Sequence, residues 1–158
     1  MRRMYVESSV ISRLTARLSH NIMMLAKQIT TRDWWDRRSR YNLYISELVL
    51  DEIRRGDRTA AARRFAAVDG LPLLPDGKDV DSVADHLVTR RNIPANQRDN
   101  ARHIAIAATR GMDCLVTWNQ AHIVNPITLR AVQDTLIEAG VSPPLILTPD
   151  YFWENLDE

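Results

Sequence analysis

The chain has one cysteine, five glycines, two lysines and no apolar run near the roughly 18 residues that a membrane span requires. Each shortage excludes something. Cys114 alone closes no disulfide within the chain, and its place in Cys114-Leu115-Val116 marks a buried reduced thiol rather than a nucleophile. The opening Met1-Arg2-Arg3-Met4-Tyr5-Val6 lacks the long apolar core of a signal peptide, so a cytoplasmic protein without membrane attachment is expected. There is no Cys/His spacing for zinc, no Gly-rich loop followed by Lys-Ser/Thr, and no G-x-S-x-G elbow. The main rival enzymes on α/β sheets lose ground accordingly.

What is present fits one ordinary globular domain over residues 1–158, with 45% hydrophobic and 26% charged residues. The net charge is only +1, yet all but two of the 21 basic residues are arginine. They cluster at Arg37, Arg38 and Arg40, at Arg54, Arg55 and Arg58, and at Arg63 and Arg64. Arginine forks match phosphates bidentately, so a basic rim around a site fits this usage, as does a plain solvated helix surface.

Hydrophobic spacing places the elements. Met4-Tyr5-Val6 reads as a strand ending on Glu7-Ser8-Ser9, and Leu14, Leu18, Ile22, Leu25, Ala26 and Ile29 follow at helical spacing, giving a long helix from Ser12 to Gln28. Thr30 or Thr31 caps a second helix through Asp33, Trp34 and Trp35. Leu43-Tyr44-Ile45 is β-like, and Ser46 caps a helix from Glu47 to about Arg55. A helix from Arg58 to Ala67 and a linker through Leu71-Pro72-Leu73-Leu74 and Pro75-Asp76-Gly77 come next.

Val80, Val83, Ala84, Leu87 and Val88 give the clearest amphipathic helix. Another runs from Asp99 through Ala101, Ile104, Ala105 and Ala108 to a Gly111 C-cap. The strand Cys114–Thr117, a helix capped by Asn125-Pro126 and stopped at Gly140, the strand Leu145–Leu147 and a terminal helix after Thr148-Pro149 complete the pattern. Short apolar strands alternating with helices predict a mostly parallel sheet covered on both faces. Sites in such sheets lie beyond the carboxyl ends of the strands, where Glu7 and Thr117-Trp118-Asn119 fall.

Glu7, Glu52 and Asp99 each border a core face. Taken singly, Glu7 is a strand-end surface residue, Glu52 a partner of Arg55 or Arg58, and Asp99 a helix-dipole cap. Taken together, converging carboxylates repel unless a divalent cation lies between them, and hard oxygen ligands suit Mg²⁺ or Mn²⁺. Trp34, Trp35 and Trp118 invite a base-stacking role, but Trp34 and Trp35 lie between apolar elements, as core or partner contacts do.

Four segments in order carry a family resemblance: Tyr5-Val6-Glu7-Ser8-Ser9-Val10-Ile11, Tyr44 to Ile53, Asp99 to Ala107, and Leu115 to Asn125. On these the chain resembles PIN domains, nearest the VapC-type toxins. The resemblance implies a three-layer α/β/α fold in which Glu7, Glu52 and Asp99 hold one or two Mg²⁺ (or Mn²⁺) ions, roughly 3.5 to 4 Å apart if paired. It further implies hydrolysis of RNA by activated water, leaving a 5′-phosphate and a 3′-hydroxyl, and a toxin that forms a homodimer and binds a cognate antitoxin across the acidic groove. The helix bearing Met23 and Met24 suits such an interface.

The chain departs from the family at two places. Glu7 stands where most members have Asp, and a displacement of about one C–C bond in a reactive geometry costs about a hundredfold in rate. His122 stands where many have an acid. Asn119 is a candidate to orient water or support a carboxylate, His122 to donate to phosphate or brace its loop, Ser9 to fix the Glu7 carboxylate, and His103 to make a structural hydrogen bond. The alternative to a ribonuclease is a degenerate PIN module that binds RNA or protein without cutting.

Overall fold

The computed structural model describes residues 1–154. Five strands, β1 (Arg3–Val6), β2 (Asn42–Ser46), β3 (Leu73–Leu74), β4 (Cys114–Val116) and β5 (Leu145–Leu147), form one sheet in the order β3-β2-β1-β4-β5. All four pairings are parallel, with Tyr5 opposite Tyr44 on one side and Leu115 on the other. The mostly parallel sheet expected from the sequence is wholly parallel. β1 and β4 are buried along almost their whole length, which is why they carry no polar alternation.

The helices are α1 (Ser8–Thr15), α2 (Ile22–Asp36), α3 (Glu47–Ile53), α4 (Arg58–Val68), α5 (Lys78–Thr89), α6 (Arg98–Thr109), α7 (Leu129–Glu138) and α8 (Tyr151–Glu154). α1 packs on α2, α3 and α4, while α5 packs on α6 and α7. Right-handed crossovers explain this division. The chain walks outward from β1 to β3 with one helical layer, then crosses to β4 and β5 with the other. The result is a three-layer α/β/α fold, and no helix among the described residues is long and apolar enough to cross a membrane.

Three expectations are corrected. The long helix from Ser12 to Gln28 is broken at residues 16–21, and Thr30 and Thr31 lie inside α2 rather than capping a new helix. Asn21 is the true N-cap, accepting from the Met24 N–H at 3.1 Å. The interhelical loop has its own polar partners: the buried Gln28 amide accepts from Ser19 N–H and donates to the Arg17 carbonyl. Arg32 and Arg63 satisfy the last carbonyls of α1, at Leu14, Thr15 and Ala16. Thr30 and Thr31 instead donate back to the carbonyls four residues earlier.

The second correction is the linker, whose Leu73–Leu74 pairs with Ile45 and Ser46 as edge strand β3. A two-residue strand is too short for its period to be read. α7 also begins later than expected, at Leu129, because Asn125 first closes a turn by accepting from Ile127 N–H. Gly111 has φ +65 after α6, the left-handed exit that its sequence position required.

Candidate metal centre

β1 lies in the middle of the sheet, and the connections leave it in opposite directions on its two sides. The crevice between the carboxyl ends of β1 and β4 is therefore the topological switch point, where ligands of open parallel sheets bind. Glu7 follows β1 directly and Thr117 follows β4. Glu7 is 3% exposed, and its burial demands compensation.

That compensation comes from short-range donors. Glu7 is the N-cap of α1, accepting from Ser9 N–H at 3.1 Å through Oε2. The Ser9 and Thr117 hydroxyls donate to the same oxygen, Thr117 at 2.8 Å, and the Ser8 hydroxyl donates to Oε1 at 2.8 Å. Burial acts to raise the Glu7 pKa, but the His103 imidazole and the hydroxyls of Ser9, Ser8 and Thr117 outweigh it and hold the carboxyl below the usual glutamate range.

Glu52 reaches the same point from α3, whose start is fixed by Ser46 accepting from Val49 N–H. Its Oε1 accepts from His103 Nε2 and lies 3.3 Å from the Ser8 hydroxyl, whose one proton it shares with the nearer Glu7. His103 rises from α6, wholly buried, with Nε2 3.9 Å from Glu7 Oε1. Glu7, Glu52 and His103 thus offer three ligand atoms within 4.8 Å of one another.

The imidazole is held from behind. His103 Nδ1 lies 2.8 Å from the Tyr5 hydroxyl, which lies 2.7 Å from Ser46 Oγ. Burial pushes the Tyr5 phenol far above its ordinary pKa, so it stays protonated. The Tyr5 hydroxyl serves either imidazole state, donating to an unprotonated Nδ1 or accepting from Nδ1–H while donating to Ser46. Ligation through Nε2 uses the second arrangement, with the Nε2 proton gone and Nδ1–H pointing at Tyr5.

The residues present fit a divalent cation. Cis ligands on an ion with metal–oxygen distances of about 2.1 Å stand about 3 Å apart, a spacing that small side-chain shifts reach from here. Two carboxylates and an imidazole make a mixed donor set, which suits Mn²⁺ better than an all-oxygen preference such as that of Mg²⁺.

Asp99 does not join this group. It is exposed in the first turn of α6 and lines an open cleft of about 390 Å³ together with Glu52, Arg55 and Asn100. The neighbouring residue, Asn100, is the one turned inward: it is 9% exposed and accepts from Asn119 Nδ2 at 3.1 Å. Asn119 is also bound through its backbone N–H to Thr117 Oγ1 and through Oδ1 to the backbone N–H of His122. Its side chain braces the loop after β4, and His122 enters that brace through its backbone.

Sequence reasoning gave His103 a structural bond and missed its place between the carboxylates. A usable signal existed, because His103 is the polar break in the apolar face that Ala101, Ile104, Ala105 and Ala108 draw on α6. Trp34, Trp35 and Trp118 are all buried, which leaves none of these three indoles a free face for a base. No protein-family model matches the chain, and no curated protein does.

Proposed function

We propose that the protein is a metal-dependent endoribonuclease of PIN type, acting as the toxin of a toxin–antitoxin pair. The observation that carries the reading is the convergence of Glu7, Glu52 and His103 at the switch point of a wholly parallel sheet. The four motif segments supply its substrate class. Homodimerisation and an antitoxin segment over the acidic groove belong to the same proposal.

Glu7, Glu52 and His103 would hold the ion, Mn²⁺ or Mg²⁺. A bound divalent cation would supply a lowered pKa for the attacking water and neutralise charge growing on the phosphate. The chain's own work is orientation. Ser8, Ser9 and Thr117 fix both oxygens of Glu7, and Tyr5 with Ser46 fixes the imidazole plane. These locked rotamers meet the demand that a reactive geometry be held before substrate arrives.

The test is cleavage of a labelled total-RNA pool by purified protein with Mn²⁺, with Mg²⁺ and with chelator. Metal-dependent cleavage that vanishes in Glu52→Gln supports the reading; intact RNA under every condition removes it. One observation favours a second reading, a module that binds RNA without cutting: α6 brings the imidazole of His103 and no carboxylate to the cluster, while Asp99 is exposed. RNA binding without cleavage, and cleavage appearing in Glu7→Asp, would mark that case.

A further inference from the structure

Beside the acids stands a pair of cations with no acidic partner among the described residues. Arg13 on α1 and Lys27 on α2 both lie over the indole of Trp118, at 5.8 and 5.4 Å from the ring centroid. Trp118 is 5% exposed and doubly fixed, its Nε1–H donating to Thr31 Oγ1 and its backbone N–H to Ser9 Oγ, each at 2.8 Å. That serine hydroxyl is the one that donates to Glu7. The indole therefore ties the position of the two cations to the position of the carboxylate.

The hydrogen-bonding capacity of this pair is poorly used. Arg13 gives one N–H to the thioether of Met24, a weak acceptor, and its Nε is buried without a partner. Lys27 donates to the neutral amide oxygen of Gln120. Among the described residues neither has a carboxylate partner, whereas Arg102 is clamped by Asp76 and Asp81 and Arg110 by Asp79. Burial lowers the Arg13 pKa while the Glu7 charge opposes that shift, so the guanidinium lies within the field of the acid yet is not neutralised by contact with it.

Resting on the ribonuclease reading, we propose that Arg13 and Lys27 form a phosphate-binding ledge that holds the RNA backbone next to the Glu7–Glu52–His103 centre. The guanidinium offers a fork to a phosphodiester and the ammonium a point charge beside it. Trp118 is the floor that positions both cations, not a stacking platform for bases. Contacts of this kind carry no sequence information and set register on the strand.

The probe is a fluorescein-labelled single-stranded RNA oligonucleotide, followed by anisotropy across a KCl series in EDTA, where cleavage is silent. Arg13→Gln and Lys27→Gln are each expected to flatten the slope of log affinity against log salt by about 0.7, and the double variant by about 1.4. Arg13→Lys retains the slope because it retains the charge. Arg90→Gln, whose partner Glu138 lies on α7, leaves the slope unchanged. Circular dichroism melts confirm that each variant is folded. An unchanged slope in the folded double variant overturns the ledge, as does wild-type protein that binds polyglutamate but not the RNA.

Cleavage with Mn²⁺ is scored separately. Cleavage together with an unchanged slope removes the ledge alone. The expected slope change without cleavage removes the nuclease reading alone.

Discussion

Thr117→Val tests the idea that the centre is held by hydroxyls packed around one carboxylate. The side chain is fully buried and valine reproduces its branching, so the substitution removes two hydrogen bonds and opens little space. The bond to Glu7 Oε2 is charge-assisted and is worth roughly 1.5–3 kcal/mol. The backbone N–H of Asn119, which donates to Thr117 Oγ1 at 3.0 Å, loses its acceptor at a further cost of about 1 kcal/mol, the low end because that loop is only partly buried. The expected destabilisation is about 3 kcal/mol at neutral pH. For a chain of this length that lowers Tm by about 6–12 °C.

The pH dependence sharpens the test. The Glu7 pKa is held below its unfolded value, so its contribution is fully present above the unfolded value and is lost as pH falls through the folded one. Once Glu7 is protonated, Thr117 donates to a neutral group, and the cost of Thr117→Val falls toward about 1–2 kcal/mol. Urea unfolding in EDTA, followed by fluorescence of the buried tryptophans, measures both values. A neutral-pH loss under about 1 kcal/mol, or one that does not shrink in acid, refutes this account of how Glu7 is held.

Glu52→Gln is expected to lower Mn²⁺ affinity at least tenfold by calorimetry, whereas Asp99→Asn changes it less than twofold, because Asp99 is outside the ligand group; equal losses would place Asp99 in the centre. Ser46→Ala removes the N-cap of α3 and a partner of Tyr5, and a loss of about 1–2 kcal/mol in urea unfolding is expected. Cys114 is buried with its thiol pKa raised, first by burial, so an aromatic disulfide reagent labels it only in denaturant; rapid labelling of native protein would contradict that. Asn100→Asp puts a carboxylate on the site-facing phase of α6 and is expected to raise Mn²⁺ affinity, read in the same calorimetry; an unchanged affinity would show that this position does not reach the ion.

The fold was legible where burial imposes a strong period. α5 falls where Val80, Val83, Ala84 and Leu87 place it, because one face is buried, and β1, β2, β4 and β5 fall on their apolar runs, of which the central β1 and β4 are the most fully buried. The reading failed between α1 and α2, where the period was carried by residues that turned out to face solvent. Leu18 and Ile22 are more than half exposed, so their spacing reported no core. What breaks the helix is polar and local, the Asn21 cap, or distant, the Gln28, Arg32 and Arg63 side chains that satisfy the loop. Partners of the second kind cannot be seen in a window of sequence.

The candidate site divides in the same way. Glu7 and Glu52 lie next to elements whose ends the sequence fixes sharply, a buried strand and a serine-capped helix, so their convergence followed from topology. α6 starts without a side-chain cap, after the short 3-10 turn at Ala95–Gln97, and its phase is correspondingly hard to read. One residue on a helix is a rotation of about 100°. That single step separates Asp99 in solvent from Asn100 against Asn119, and places His103, one turn along the inward stripe, between the two carboxylates. Strand-end placement and motif order pointed to an acidic centre at this edge of the sheet. Which α6 side chain completes it is decided by helix phase, and that phase selects an imidazole.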